Sequence, residues 1–182
     1  MSTQVEATVE DLYRVPENGK AEIVNGEIVL MPPTGDMPSR AGFSVVMSLR
    51  MHEGKTTGRA YPDNAGFLVH LPNRRSFSPD AAWYVGPSTG MKFLEGPPIF
   101  AVEVRSEDDY GRSAERTMAQ KRADYFAAGT FIVWDVDLLS PDIIKSYKSE
   151  DQDTPRIFRR GDVADAEPAV PGWRMPVDEL FS

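Results

Sequence analysis

The chain has 182 residues, 41% hydrophobic and 26% charged, the size and makeup of a single globular domain over 1–182 with a real core. It has no cysteine and two histidines, which excludes disulfides, thiolate zinc sites, cysteine nucleophiles and a His-rich metal site, so any metal must be held by oxygen. A formal charge of −8 argues against a generic nucleic-acid coat protein, whose affinity comes from many phosphate contacts, but leaves room for a site that needs cations around one phosphate.

In chain order, Thr8 with Asp11 predicts a short capped helix over Val9–Arg14, stopped by Pro16. Asn25-Gly26 between Glu22–Val24 and Glu27–Met31 predicts a β-hairpin, ended by Pro32-Pro33. From about Ser39 to Glu53, apolar residues recur at helical spacing (Phe43, Val46, Met47, Leu49 to Met51), which predicts a helix turning that face to the core. Strands are expected over Gly66–Leu71, Pro79–Val85 and Ile99–Arg105, arranged as a meander. Ser113–Ala128 reads as a helix closed by Gly129, and Phe131–Val136 as a buried strand. Further strands are placed near Ile143–Tyr147 and Arg156–Phe158, with Glu150–Thr154 as a polar loop and an extended tail before Val177–Phe181. The order predicts a mixed α/β domain with helices covering a central sheet. No stretch approaches the roughly 18 apolar residues of a membrane span, and the polar N-terminus lacks a signal-peptide core, so a cytoplasmic protein without a membrane partner is expected.

Two acids stand out. Asp80 follows Pro79 at the mouth of an otherwise apolar strand, and Glu103 sits between Val102 and Val104, where an ionised carboxylate is costly unless paired or bound to a cation. Glu103 and Arg105 share a strand face by alternation, so an ion pair with Arg105 or a distant lysine competes with metal binding as the reason for Glu103. Two oxygen ligands on adjacent strands, without nitrogen or sulfur, suit Mg²⁺ or Mn²⁺, which can activate water and neutralise charge on a phosphodiester. The basic pieces Arg74-Arg75, Arg112 with Arg116, Lys121-Arg122 and Arg156 with Arg159-Arg160 read equally well as solvated surface. His52 closes a helix and His70 lies on a strand; neither gains a partner. Asp63, Asp108, Asp109 and Asp142 fall beside Gly or Pro, where turn chemistry explains them.

Pro79-Asp80 followed by Glu103-Val104-Arg105 resembles the PD-(D/E)XK nuclease pattern, with arginine in place of lysine. The likeness extends in order through Glu22-Ile23-Val24-Asn25-Gly26-Glu27-Ile28, Lys121 with Tyr125 and Gly129, Trp134-Asp135-Val136-Asp137, Pro171-Gly172-Trp173 and Glu179-Leu180-Phe181. Together these are similar to the Uma-type restriction-endonuclease family of that superfamily. The resemblance implies a restriction-endonuclease-like core, DNA as substrate, and Asp80 and Glu103 as ligands of Mg²⁺ or Mn²⁺, with the Val104 carbonyl as third ligand and Glu22 nearby. It also implies that the catalytic lysine has moved to Lys121 on the following helix. Arg105, always protonated, is left to orient or stabilise the phosphate, and Tyr125 to pack at the site margin. On a helical wheel Lys121 lies at the edge of the apolar stripe, equally placed to reach inward or to lie along the surface. The chain departs from the family at Ala21, Glu107 and Ile132-Val133, none of them a proposed ligand.

The expected activity is hydrolysis of DNA phosphodiesters through metal-activated water, in a homodimer if both strands are to be cut. Two alternatives stay open: a nuclease-fold protein that binds nucleic acid or a partner without cutting, and a structural domain whose acids pair with cations for stability alone.

Overall fold

The computed structural model of the chain describes residues 5–16 and 19–182. Helix α1 (Val9–Tyr13) carries the predicted capping box, Thr8 and Asp11 bonding each other's backbone. Strands β1 (Lys20–Val24) and β2 (Glu27–Met31) form the expected hairpin. Asn25 and Gly26 both take positive φ, +50° and +76°, as a tight turn with the twist of a two-residue hairpin requires.

Helix α2 (Asp36–His52) starts three residues before the expected Ser39, and its inward face matches the expected one at Val46 and Leu49 but not elsewhere. Ala41, Val45 and Leu49 are fully buried, whereas Phe43, Met47 and Met51 are exposed. Small residues set that choice. A Cβ at Gly42 would touch Asp80 at 3.6–3.7 Å, so the helix backbone lies close against the strand start.

The strands that follow are β3 (Arg59–Pro62), β4 (Phe67–Leu68), β5 (Ser76–Phe77), β6 (Ala81–Tyr84), β7 (Leu94–Glu95) and β8 (Phe100–Val104). The expected meander is only partly realised. β6 pairs antiparallel with β8 and with the unpredicted β3, while β4 leaves for a separate small sheet with β5 and β7. Helix α3 (Arg112–Ala128) ends as expected at Gly129, which adopts the left-handed conformation at φ +113°. It crosses from β8 to β9 (Ile132–Val136), the parallel pair of the main sheet. β10 (Ile144–Lys148) and β11 (Asp151–Phe158) complete that sheet, whose order is β11-β10-β9-β8-β6-β3. The expected polar loop over 150–154 is thus mostly strand: β11 is an edge, and an edge tolerates polar side chains. A short hairpin, β12 (Val163–Asp165) with β13 (Arg174–Pro176), and a 3-10 turn over Val177–Phe181 close the tail.

Both faces of the main sheet are covered. On one, Ala41, Val45 and Leu49 of α2 and Trp173 of the tail pack on Trp83, Phe100 and Trp134. Trp134 lies 5.1 Å from Phe100 and 5.3 Å from Trp173 between ring centres. On the other, Tyr125 and Phe126 of α3 pack on Ala82, Ala101 and Val133, and Tyr125 stacks on Phe77 at 3.9 Å. Alternation along β8 sends Phe100, Val102 and Val104 to the first face and Ala101 and Glu103 to the second. Glu103 therefore emerges under α3. Among the described residues no helix is long and apolar enough to cross a membrane.

Candidate active site

Strand β8 is where the site begins. Glu103 lies opposite Asp135 of β9 in the parallel register, at a position that apolar neighbours would otherwise fill. Its Oε1 accepts from Lys121 Nζ at 2.8 Å and from the Tyr125 hydroxyl at 2.6 Å. Lys121 and Tyr125, four residues apart on α3, share a helix face, so one helix delivers both donors. The inward orientation of Lys121 is the one adopted, with its side chain 15% exposed.

Asp80 is fixed by backbone on either side of Glu103. Its N–H donates to the Val102 carbonyl (3.0 Å), and its Oδ2 accepts from Val104 N–H (2.7 Å). A strand residue directs its N–H and C=O toward the same neighbour, so the Val104 carbonyl leaves β8 on the Asp80 side. The other Asp80 oxygen, Oδ1, accepts from Lys20 Nζ at 2.9 Å. Lys20, at the start of β1, also meets Asp63 Oδ1 at 2.7 Å. Sequence reading gives Lys20 no role, because a lysine at a strand end carries no local signal; only the pairing of the hairpin with the rest of the fold brings it here. Asp63 does more than shape its turn for the same reason.

Glu22 is 4% exposed and held from three sides. Its Oε1 accepts from Ser78 N–H (2.8 Å) and from Lys121 Nζ (3.0 Å), and its Oε2 from Arg74 Nη1 (2.6 Å). Arg74 in turn donates through Nε to Asp124 of α3 at 2.8 Å. Arg74 and Asp124 are likewise illegible in the sequence as site components; they anchor Glu22 between the hairpin and α3.

Glu22, Asp80, Glu103, Val104, Lys20 and Lys121 all line one cavity of about 420 Å³ between the β1–β2 hairpin and α3. Burial pushes the Glu103 carboxyl above its ordinary range, and Asp80 and Glu22 push the same way against the two lysines. At Glu22 burial also works upward, but Lys121, Arg74 and the Ser78 N–H outweigh it and hold the carboxyl below its usual value. Burial opposes the Lys121 charge, yet Glu103 and Glu22 raise its pKa, and Asp80 and Glu103 do the same for Lys20. Tyr125, buried beside Glu103, stays a neutral donor with its pKa well above the ordinary phenol value.

Arg105 belongs elsewhere. It is 5% exposed and makes a two-point contact with Asp135, Nε to Oδ1 and Nη2 to Oδ2, both at 2.8 Å. Glu115 of α3 also pairs with it, and Arg122 adds a contact to Asp135 at 3.4 Å. Glu103 thus takes Lys121 as its partner while Arg105 ties β8, β9 and the start of α3 together. His52 is buried at the end of α2, its Nε2 2.9 Å from the Pro171 carbonyl oxygen, away from this cavity.

Among the described residues, no three acidic or imidazole side chains close around one point by themselves. The donor set nevertheless suits a hard cation. Its acidic groups offer only oxygen, and Lys121 Nζ already places one positive charge in contact with Glu22 and Glu103 together.

No curated protein matches the chain. Among solved structures it is similar to one described as "Crystal structure of a putative nuclease belonging to DUF820 from Anabaena variabilis ATCC 29413". The two share 14% identity at a TM-score of 0.74, over 96% of this chain and 97% of the other, a likeness of fold. Residues 8–178 match the family Uma2, described as "Putative restriction endonuclease", and over that span the chain belongs to this family.

Proposed function

We propose that the protein is a divalent-metal-dependent endonuclease that hydrolyses DNA phosphodiester bonds at the cavity between the β1–β2 hairpin and α3. The observation that carries this reading is the meeting of Asp80, Glu103 and Glu22 with Lys20 and Lys121 in one cavity. Membership of the Uma2 family and the fold shared with the Anabaena variabilis DUF820 protein agree with it.

In this proposal Asp80 and Glu103 hold Mg²⁺ or Mn²⁺, with the Val104 carbonyl and Glu22 completing the protein ligands. When bound, such an ion supplies charge stabilisation for the phosphodiester and makes water a better nucleophile. The chain's own groups set the geometry. Val104 N–H fixes Asp80, Tyr125 fixes Glu103, and Ser78 and Arg74 fix Glu22, so the ligands are positioned before substrate arrives. Lys121 orients water or stabilises charge on the phosphate, a task for which its distance to both acids is suited. Lys20 steadies Asp80 from the opposite side. Arg105 acts as a brace between β8, β9 and α3 and does not meet the substrate.

A second reading, binding without cutting, is favoured by one observation: the lysines and arginines that line the cavity are each already paired with a carboxylate. Incubation of supercoiled plasmid and heat-denatured DNA with Mg²⁺ or Mn²⁺ separates the two. The endonuclease reading expects cleavage that EDTA stops and that Asp80→Ala abolishes while near-UV circular dichroism is retained. Binding without cleavage, or cleavage undiminished in Asp80→Ala, overturns it.

A further inference from the structure

We infer that the DNA strand enters this site unpaired: the cavity accepts a nucleotide unit of single-stranded DNA in preference to a stacked base pair. The inference rests on the nuclease reading above and adds the form of the substrate.

Besides the carboxylates, the cavity has an apolar part to its lining. It is formed by Val29, Met31, Pro32 and Pro33 at the end of the hairpin and by Met118 on α3. None of these side chains is buried, and Val29 is 43% exposed, so the wall offers uncovered apolar area next to the acids. Phosphates do not need such a wall. The face of a base does, because nucleobases extruded from a helix are held between aromatic or apolar side chains while chemistry proceeds beside them. A volume of about 420 Å³ falls within the roughly 300–1,000 Å³ of pockets that enclose one small molecule. It suits one nucleotide unit.

Charge points the same way. Duplex DNA carries one negative charge per roughly 1.7 Å of axis, and proteins that grip it do so by neutralising many phosphates. Here Lys20, Arg74, Lys121 and Arg122, the basic residues lining the cavity, are all engaged by acids, and the whole chain carries −8. An acidic surface with balanced cations repels the dense charge of a duplex more than that of one strand. Base contact with the apolar wall then supplies affinity that the phosphates do not.

The test uses three labelled DNAs with the same cut strand: single-stranded, blunt duplex, and duplex with a central mismatched bubble. With Mn²⁺, the single strand and the unpaired bubble are expected to be cut at least about tenfold faster than the duplex, the equivalent of one lost base contact. In metal-free buffer, fluorescence anisotropy should rank binding in the same order. Met31→Ser and Met118→Ser should each raise KM for the single strand with a smaller effect on kcat. Equal or faster cutting of the blunt duplex overturns the inference and leaves the nuclease reading standing. A KM that neither variant moves overturns it as well. Cleavage of none of the three DNAs overturns the nuclease reading and this inference together.

Discussion

Lys121 and Glu103 meet at 2.8 Å across the gap between α3 and β8, and the same ammonium stands 3.0 Å from Glu22 on the hairpin. One lysine therefore joins three elements at the point where a buried carboxylate, Glu22, and a half-buried one, Glu103, would otherwise repel each other. Replacing it by methionine keeps the stem and removes the charge. Lys121→Met should lower cleavage about 10²- to 10³-fold, the scale of losing one preorganised charge-stabilising donor. It should also cost about 1–3 kcal/mol of stability in EDTA, the scale of a lost bond to a charged group, because Glu103 keeps Tyr125 and Glu22 keeps Arg74 and Ser78. Mg²⁺ should restore part of that stability by binding the folded state, so urea unfolding with and without metal checks both effects. Unchanged cleavage in a folded Lys121→Met protein would reduce the lysine to a structural counter-ion.

Arg105 stands where the nuclease pattern usually has lysine, yet its guanidinium is held by Asp135 and Glu115. Arg105→Ala should destabilise the fold by about 3–5 kcal/mol, since Asp135 stays buried with only the longer Arg122 contact. Arg105→Lys should recover only part of this, because an ammonium cannot reproduce the two-point bond. Cleavage per folded molecule should change little in either variant. A stable Arg105→Ala protein without activity would instead assign the arginine to the substrate.

Asp124 links acid sensitivity to the anchoring of Glu22. Burial works to raise its pKa, but bonds from Arg74, Asn73 and Gln120 outweigh that and hold the carboxyl below its ordinary value. A carboxyl lowered by folding adds stability that is present above the unfolded-chain value of about 3.9 and is lost as pH falls through the folded value. Asp124→Asn should therefore flatten the acid limb of the stability curve below about pH 4 and lower stability at neutral pH. Urea midpoints measured downward from neutral pH check this; an acid limb identical to that of the unaltered protein would mean Asp124 is not one of the groups that set it.

Features written in local chemistry are the ones the sequence discloses. Asn25-Gly26 announces its hairpin because few residue pairs accept two positive φ angles, and Gly129 announces the end of α3 in the same way. Asp80 and Glu103 draw notice because an acid inside an apolar strand is expensive. The face of α2 is misleading: large residues at helical spacing, Phe43, Met47 and Met51, outweigh the buried Ala41 and Gly42, and it is the smallness of Gly42 that lets the helix sit against Asp80. β11 escapes notice in its polar half because an edge strand need not alternate. Lys20, Arg74 and Asp124 are hidden for another reason. The partners that draw them into the site, Asp80 for Lys20, Glu22 for Arg74 and Arg74 for Asp124, lie 50 or more residues away, and no local pattern encodes such pairing.

The most direct test of the central claim is anomalous diffraction from crystals grown with Mn²⁺. A peak is expected, bonded at about 2.1 Å to carboxylate oxygens of both Asp80 and Glu103, with Lys20 Nζ or Lys121 Nζ displaced from its present contact. A fully formed site with no peak there, and both lysines still seated on their carboxylates at saturating Mn²⁺, would contradict the claim.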